Sequence, residues 1–287
     1  MRQVSFPPQA YLIGAQKAGT TSLAFLLQQH PKISLSDPKE THFFSVKFDL
    51  GLEWYRSNFS FNDGQTLLDA STSYAMANFD GSTNFGIKAN VAGRICSLRP
   101  DAKFIYILRD PVERAISAYW HNVRFHSERR SFREAIIDNP PYVWIGQYYK
   151  QLQRYLDHFN RSRFLLLDFR ELEADPGAIA IKVVRFLGLS EAGVSFDLAE
   201  PKNRGFQLTV LGRLVARTFG NDAAFFRASR LVRKAMPASH LYRLGRRMLI
   251  TDLKMISSAD REWLREMFRG DEEELGKWSG ISFHHES

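Results

Sequence analysis

The stretch that decides the fold is residues 11–22, which read Tyr11-Leu12-Ile13-Gly14-Ala15-Gln16-Lys17-Ala18-Gly19-Thr20-Thr21-Ser22. The apolar run before Gly14 is typical of a short buried strand, and the apolar pattern of residues 22–27 is typical of a helix. Backbone N–H groups at such a strand-to-helix turn, reinforced by the helix dipole, form a site for an anion. The sequence therefore predicts a phosphate-binding loop between the two elements.

The lysine of this loop stands in an unusual place. Gly14 and Gly19 have the spacing of the P-loop pattern, in which a lysine follows the second glycine and a hydroxyl residue comes next. Here Thr20 occupies the lysine position, and the lysine lies inside the loop as Lys17. No other strand offers a clear acidic ligand for Mg²⁺. We therefore expect a ligand with a 5′-phosphate that carries a further anionic group, bound without a metal; a glycine turn with no ligand is the alternative.

A second anion site is predicted at the end of another strand. Residues 103–108 are apolar and rich in β-formers, and Arg109 follows them directly. Open α/β sheets bind ligands at the carboxyl ends of their strands, and Ser117 lies about two turns into the next predicted helix. A guanidinium and a hydroxyl are suited to one phosphate. Two anion sites imply a nucleotide phosphorylated at two places, although a plain pair of Arg109 with Asp110 is an equal alternative for this motif alone.

Strand and helix patterns alternate along the rest of the chain. Further strands are predicted at 33–35, 66–69 and 163–168, and further helices at 112–124, 143–159, 179–187 and 258–269. This alternation predicts an α/β fold, with a P-loop-like parallel sheet flanked by helices. The C-terminal portion, about residues 208–287, is predicted to be mainly helical. Since no repeat or linker interrupts the chain, we expect a single domain over 1–287.

Composition and net charge limit the kinds of binding partner and the cellular compartment that we expect for this protein. The formal net charge is +8, which attracts polyanions and allows peripheral contact with a membrane surface, although we expect no nucleic acid. Cys96 is the only cysteine, so no intramolecular disulfide can form, which fits a reducing compartment. No apolar run of about 18 residues is present, and the N-terminus does not resemble a signal peptide. We expect a cytoplasmic protein.

Three motifs resemble a known family. Residues 11–22 resemble the 5′-phosphosulfate loop of sulfotransferases that use 3′-phosphoadenosine 5′-phosphosulfate (PAPS), closest to the heparan-sulfate-type and bacterial carbohydrate branch. Residues 104–117 are similar to the family's 3′-phosphate motif, and residues 39–44, Lys-Glu-Thr-His-Phe-Phe, to the segment with its catalytic glutamate. The resemblance covers roughly residues 11–205. It implies metal-free transfer of a sulfuryl group from PAPS to a hydroxyl or amine of an acceptor, a carbohydrate or a glycolipid.

The resemblance also implies roles for individual residues. Lys17 would neutralise charge on the leaving phosphate oxygen, and Glu40 would act as the general base. His42 would assist Glu40 or orient the acceptor. Arg109 and Ser117 would hold the 3′-phosphate. The residues expected to bind the nucleotide are Gln16, Lys17, Ala18, Gly19, Thr20, Thr21, Arg109, Ser117 and Arg204.

The chain departs from its relatives in two places. Ala70 stands where the heparan-type relatives carry a lysine at the reacting centre, which leaves the acceptor geometry open, with the neighbouring Asp69 as one candidate for an acceptor contact. The relatives also close over the nucleotide with a disulfide-containing loop, which this chain cannot form. Residues 202–206 are the expected replacement, with Arg204 directed at the 3′-phosphate.

Other interpretations stay open at this point. Glu40 could be a loop carboxylate that only pairs with Lys39. A P-loop kinase for a small metabolite would need a lysine at Thr20 and a Mg²⁺ site. A non-enzymatic polyanion-binding protein would use basic clusters such as Arg129-Arg130 and Arg246-Arg247. Binding of adenosine 3′,5′-bisphosphate without metal distinguishes a PAPS enzyme from both.

Overall fold

A computed structural model describes residues 6–79, 90–125, 128–192, 196–197, 207–208, 250–251 and 255–283. Residue contacts divide the chain into two compact units. The first unit comprises residues 1–115, 140–200 and 263–287, and the second comprises residues 116–139 and 201–262. The single domain over 1–287 stays a prediction.

A five-stranded parallel sheet forms the centre of the first unit. Its spatial order is β2-β3-β1-β4-β5. The strands are β1 (Ala10–Gly14), β2 (Ile33–Leu35), β3 (Thr66–Asp69), β4 (Lys103–Leu108) and β5 (Phe164–Asp168). Because all five strands are parallel, their carboxyl ends meet at one edge of the sheet. The order places the loop after β1 between the loops that follow β3 and β4, and it confirms the predicted α/β class.

Two groups of helices flank this sheet. Helices α1 (Thr20–Leu27), α8 (Phe169–Ala174) and α9 (Pro176–Leu187) pack together, and helices α3 (Val91–Leu98), α7 (Tyr148–Leu156) and α11 (Arg269–Ser279) form the second group. The remaining helices are α2 (Gly51–Ser57), α4 (Pro111–Phe125), α5 (Phe132–Asp138), α6 (Pro141–Trp144) and α10 (Ser258–Glu266).

Aromatic side chains fill the core of the first unit. The ring of Phe104 in β4 lies 5.8 Å from Tyr11 in β1 and 5.0 Å from Phe164 in β5, centroid to centroid, and both pairs are stacked. Tyr155 of α7 meets Phe104 edge-on at 5.1 Å. These contacts extend across three neighbouring strands and one helix, so they pack α7 against the centre of the sheet.

Two predicted helices are wrong in length. The helix predicted over 143–159 is interrupted, because α6 ends at Trp144 and α7 begins at Tyr148. Gly146 lies in this break, where an added Cβ would come within 2.8 Å of a ring carbon of Phe268. The apolar pattern continues across the break, so nothing in the residue order indicates this long-range contact. At the C-terminus, the helix predicted over 258–269 ends at Glu266, and α11 follows it as a separate element.

The second unit contains the later part of α4, helix α5 and a two-stranded antiparallel ribbon. Ser131 and Glu134 form a capping box at the start of α5, and Tyr119 packs edge-on against Phe132 at 5.2 Å. The ribbon pairs β6 (Gln207–Leu208) with β7 (Ile250–Thr251) and was not predicted. In the ranges given above, no helix has both the length and the apolar character required to cross a bilayer.

Candidate active site

The phosphate loop leads from β1 into α1 with two left-handed backbone conformations. Lys17 has φ 70° and Gly19 has φ 79°, and α1 begins at the next residue, Thr20. The loop is tied down at its start, because the Ala15 N–H donates to the carbonyl oxygen of Ile107 in β4 at 2.8 Å. The first N–H groups of any helix lack intrahelical acceptors, so the start of α1 offers donors to an anion.

Only glycine fits at position 19. Besides its positive φ, an added Cβ would lie 2.8 Å from Cδ2 of Leu172 and 3.1 Å from Cε2 of Phe169. Both neighbours belong to α8, which follows the edge strand β5. The close approach of the loop to α8 is therefore possible only because residue 19 has no side chain.

Arg109 reaches the same loop from the end of β4. Its Nη1 donates to the carbonyl oxygen of Lys17 at 3.0 Å, and its guanidinium carbon lies 4.8 Å from the centroid of the Phe169 ring. The Tyr148 hydroxyl donates to the Arg109 carbonyl oxygen at 2.7 Å. Burial lowers the pKa of Arg109, but an arginine still keeps its charge at neutral pH. These contacts place Arg109 beside the phosphate loop, and its role at a 3′-phosphate stays a prediction.

Glu40 lies in the loop after β2, within reach of three polar neighbours. Lys39 Nζ donates to Oε1 at 2.9 Å, and the Thr72 hydroxyl donates to Oε2 at 2.8 Å. Burial opposes ionisation of this carboxylate, but the charge and hydrogen bond of Lys39, the hydrogen bond of Thr72 and the nearby His42 outweigh it and lower the pKa of Glu40. The pair with Lys39 that the sequence offered as an alternative is present, and it leaves Glu40 ionised at neutral pH.

His42 stands next to Glu40, as predicted. Its Nε2 lies 3.8 Å from Oε2 of Glu40, and its Nδ1 lies 2.7 Å from the hydroxyl oxygen of Ser73. That hydroxyl is also 2.7 Å from the hydroxyl of Ser45. The imidazole is therefore held at one nitrogen by a hydroxyl and faces a carboxylate with the other.

Asp69 points into the protein interior, which does not favour the acceptor contact that the sequence left open. Its side chain is completely buried at the end of β3, and four hydroxyl groups donate to its carboxylate. Burial raises the pKa of Asp69, and these hydrogen bonds partly counteract that shift. The donors are Ser71 to Oδ1 at 2.6 Å, and Thr41, Tyr74 and Tyr55 to Oδ2 at 2.7, 2.7 and 2.8 Å. Nothing in the residue order indicated that this carboxylate would point inwards.

The remaining predicted site residues are spread more widely. Within the phosphate loop, Ala18 and Thr20 are buried, Gln16 is half-buried, and Thr21 is exposed. Ser117 lies on α4 in the second unit, so its pairing with Arg109 stays a prediction. Arg204, with the whole of residues 202–206, lies outside the described residues.

Sequence reasoning missed the segment that holds the carboxylate and the imidazole. Ser71, Thr72 and Ser73 come one residue after the end of β3, and their composition alone is typical of a turn or a helix cap. Three hydroxyl residues in a row after a strand of an open parallel sheet were the signal that could have found it, since that edge is where ligands bind. Nothing in the sequence around Phe169 indicated that its ring would pack against the guanidinium of Arg109.

The sheet thus carries a lysine-bearing loop and a carboxylate–histidine pair at its carboxyl edge, which is where open α/β sheets bind their ligands. The family described as Sulfotransferase domain matches residues 7–200. The chain belongs to this sulfotransferase family, a family of enzymes.

Individual relatives agree with this assignment. Human heparan sulfate glucosamine 3-O-sulfotransferase 3B1 is 30% identical over 209 residues, which are 69% of this chain and 50% of the relative. Mouse bifunctional heparan sulfate N-deacetylase/N-sulfotransferase 4 is 33% identical over 204 residues, which are 64% of this chain and 22% of the relative. The chain thus spans half or less of the length of these curated relatives.

A solved structure extends the similarity to the fold. The crystal structure of a sulfotransferase from Alicyclobacillus acidocaldarius is 28% identical, with a TM-score of 0.58. The match covers 78% of this chain and 96% of that one. The similarity therefore includes nearly all of a solved sulfotransferase structure.

Proposed function

We propose that this chain transfers the sulfuryl group of PAPS to a hydroxyl or amine of a sugar-type acceptor, a carbohydrate or a glycolipid. The observation that carries the proposal is the strand order. The phosphate loop follows the central strand β1. Arg109 follows β4 on one side of it, and the loop of Glu40 and His42, together with residues 71–73 after β3, lies on the other side. A donor held in the middle would thus have its 3′-phosphate cation and its acceptor base on opposite sides.

The residues of the loop suit a 5′-phosphosulfate. The left-handed backbone at Lys17 and the start of α1 at Thr20 bring a cation, hydroxyls and backbone N–H groups to one short segment. On the β4 side, the half-buried guanidinium of Arg109 offers a fork of donors to the 3′-phosphate. Ser117 and Arg204 would complete that subsite.

The transfer breaks the bond between sulfur and the bridging oxygen of the phosphate, and it forms a bond between sulfur and the acceptor oxygen or nitrogen. Glu40 takes the proton of the acceptor, for which it must be ionised, and its lowered pKa keeps it so. Lys17 stabilises the negative charge that appears on the leaving adenosine 3′,5′-bisphosphate. No step in this scheme requires a metal ion.

The acceptor class is supported by the relatives and by charge. The two mammalian relatives act, by their names, on heparan sulfate, one as a 3-O- and one as an N-sulfotransferase. The net charge of +8 favours an anionic glycan of this kind. Heparan sulfate is therefore the first acceptor to test, with unsulfated and glycolipid acceptors beside it.

Calorimetric titration of adenosine 3′,5′-bisphosphate in the presence of EDTA tests the donor site. We expect the wild type to bind, and Arg109→Ala to lose about 1.5–3 kcal/mol of binding free energy, as expected for a charge-assisted hydrogen bond. Arg185→Ala is the matched control, because Arg185 is an exposed arginine that pairs with Glu191. Transfer of ³⁵S from labelled PAPS to heparan sulfate, with Glu40→Gln as the inactive comparison, tests the reaction.

Either of two results would contradict the proposal. A folded wild type that does not bind adenosine 3′,5′-bisphosphate is not a PAPS enzyme. A wild type that prefers ATP with Mg²⁺ would instead support the kinase alternative.

A further inference from the structure

Two loops at the carboxyl edge of the sheet are joined by contacts of Glu40 and His42 with three consecutive hydroxyl residues. The loop after β2 contributes residues 40–42, and the loop after β3 contributes residues 71–73. The Ser71 hydroxyl accepts from the His42 N–H at 3.0 Å, the Thr72 hydroxyl donates to Glu40, and the Ser73 hydroxyl lies against the ring of His42. We call these six residues the hydroxyl clamp.

One carboxylate underlies both halves of the clamp. Asp69 Oδ1 accepts from Ser71, and Asp69 Oδ2 accepts from Thr41, the residue between Glu40 and His42. Asp69 therefore contacts each loop through a different oxygen. Its contact in the first loop is Thr41, which is the next residue after the proposed base Glu40. A buried carboxylate is costly unless its hydrogen bonds are satisfied, so the two loops are held at the distance that those bonds require.

The clamp also presents a different group to each ring nitrogen of His42. Nε2 of His42 faces the ionised carboxylate of Glu40, whereas Nδ1 faces a hydroxyl that can donate or accept. A neutral imidazole has one N–H, and the carboxylate favours that proton on Nε2. Ser73 then donates to Nδ1. The Ser45 hydroxyl lies 2.7 Å from Ser73 and 3.2 Å from the carbonyl oxygen of His42, so its single proton is directed at one of these two acceptors.

We propose, resting on the proposed function, that Asp69 is a positioning residue that holds Glu40 at the acceptor and keeps His42 in its Nε2–H tautomer through Thr41 and Ser71. Asp69 itself touches no substrate, because its side chain is completely buried. Its effect passes through the hydroxyl clamp. Loss of either link would let the base move, and a displacement of about 1 Å can cost a hundredfold in rate.

The first measurement requires no acceptor. Ring-nitrogen NMR shifts of His42, assigned with His42→Gln, report the tautomer in the wild type, Thr41→Val, Ser71→Ala and Asp69→Asn. We expect one tautomer in the wild type and an averaged signal in the variants. Ser34→Ala is the matched control, since it removes a buried hydroxyl from the same sheet, where Ser34 donates to the Ser60 carbonyl oxygen at 2.8 Å. If Asp69→Asn does not fold, Thr41→Val and Ser71→Ala still decide.

The second measurement separates positioning from general damage. With PAPS and heparan sulfate, we expect kcat to fall about tenfold to a hundredfold in Thr41→Val and Ser71→Ala, while the Kd of adenosine 3′,5′-bisphosphate changes less than about twofold. An unchanged His42 tautomer in folded Thr41→Val and Ser71→Ala would overturn the positioning role. A wild type that binds the bisphosphate but sulfates nothing would refute the proposed acceptor alone, because the tautomer would still report on Asp69.

Discussion

Arg109 Nη1 donates a hydrogen bond to the carbonyl oxygen of Lys17 over 3.0 Å, and this bond joins the end of β4 to the loop that follows β1. The two residues are far apart in the chain and come from the two motifs that suggested separate anion sites. The contact shows that both residues lie together at the carboxyl edge of the sheet. Arg109 thus supports the backbone of the phosphate loop. Under the proposed function, the same guanidinium would also bind the 3′-phosphate.

Arg109→Lys tests whether the guanidinium group, and not only its charge, is required for nucleotide binding. A lysine keeps the charge but loses the planar fork and the stacking on Phe169. We expect the Kd of adenosine 3′,5′-bisphosphate to rise about tenfold, which corresponds to about 1.4 kcal/mol, as measured by calorimetry. Arg185→Lys, on the exposed side of α9, should leave the Kd unchanged. Equal binding by Arg109→Lys and the wild type would show that charge alone matters at this position.

Gly19→Ala should destabilise the fold through α8. The left-handed backbone alone costs about 1–2 kcal/mol for a residue with a Cβ, and the methyl group would also press on Leu172. Gly188→Ala is a matched control, because Gly188 has the same φ of 79° and an added Cβ there meets nothing within 4 Å. In urea unfolding, we expect Gly19→Ala to lose at least about 1 kcal/mol more than Gly188→Ala. Similar losses would mean that α8 moves freely to make room.

Lys39→Met should change the pH dependence of sulfuryl transfer. Lys39 is the nearest cation that lowers the pKa of Glu40, which must be ionised to accept a proton. Activity falls as the pH drops through that pKa, so removal of the cation should move the acidic limb of the kcat/KM profile to higher pH. Lys182→Met, which removes an exposed pair with Glu171, should leave the profile in place. A limb that does not move in Lys39→Met would argue against Glu40 as the base.

Glu272→Gln should stabilise the protein above neutral pH. Glu272 is buried on α11, and neither of its carboxylate oxygens has a hydrogen-bond partner among the described residues. Burial, with Asp110 adding to it, raises the pKa of Glu272 from 4.5 to about 7. The unfolded chain therefore loses this proton at a lower pH than the folded chain, so the wild type loses stability as the pH rises from 4.5 to about 7.

Urea unfolding of the wild type and Glu272→Gln at several pH values measures this effect. Relative to the wild type, the variant should gain about 2–3 kcal/mol in its free energy of unfolding between pH 5 and pH 8, because the folded and unfolded proteins bind this proton with different affinities over that range. Glu274→Gln, an exposed change on the same helix where Glu274 pairs with Lys277, is the control. A difference that stays constant with pH would mean that Glu272 ionises normally in the folded protein.

The local elements were readable from the sequence for a physical reason. The strand before Gly14, the strand before Arg109 and the helix that ends at Gly188 each combine an apolar pattern with a residue that stops it, and such signals act over a few neighbours. The helix over 143–159 could not be delimited in this way, because its break at Gly146 depends on Phe268, more than a hundred positions away. The inward direction of Asp69 could not be read either, since two of its four hydroxyl partners, Thr41 and Tyr55, lie 28 and 14 positions away.

By itself, the sequence determined where strands and helices follow one another along the chain, the phosphate loop with its displaced Lys17, and the placing of Arg109 and Glu40 just after strands. These follow from local backbone preferences and hydrophobic pattern. Only the tertiary structure decided the strand order, the contact of Arg109 with Lys17, and the pairing of Glu40 and His42 with Thr72 and Ser73 over the buried Asp69. Those contacts join segments about 30 to 90 positions apart, and such segments meet only when burial of the shared core brings the strands together.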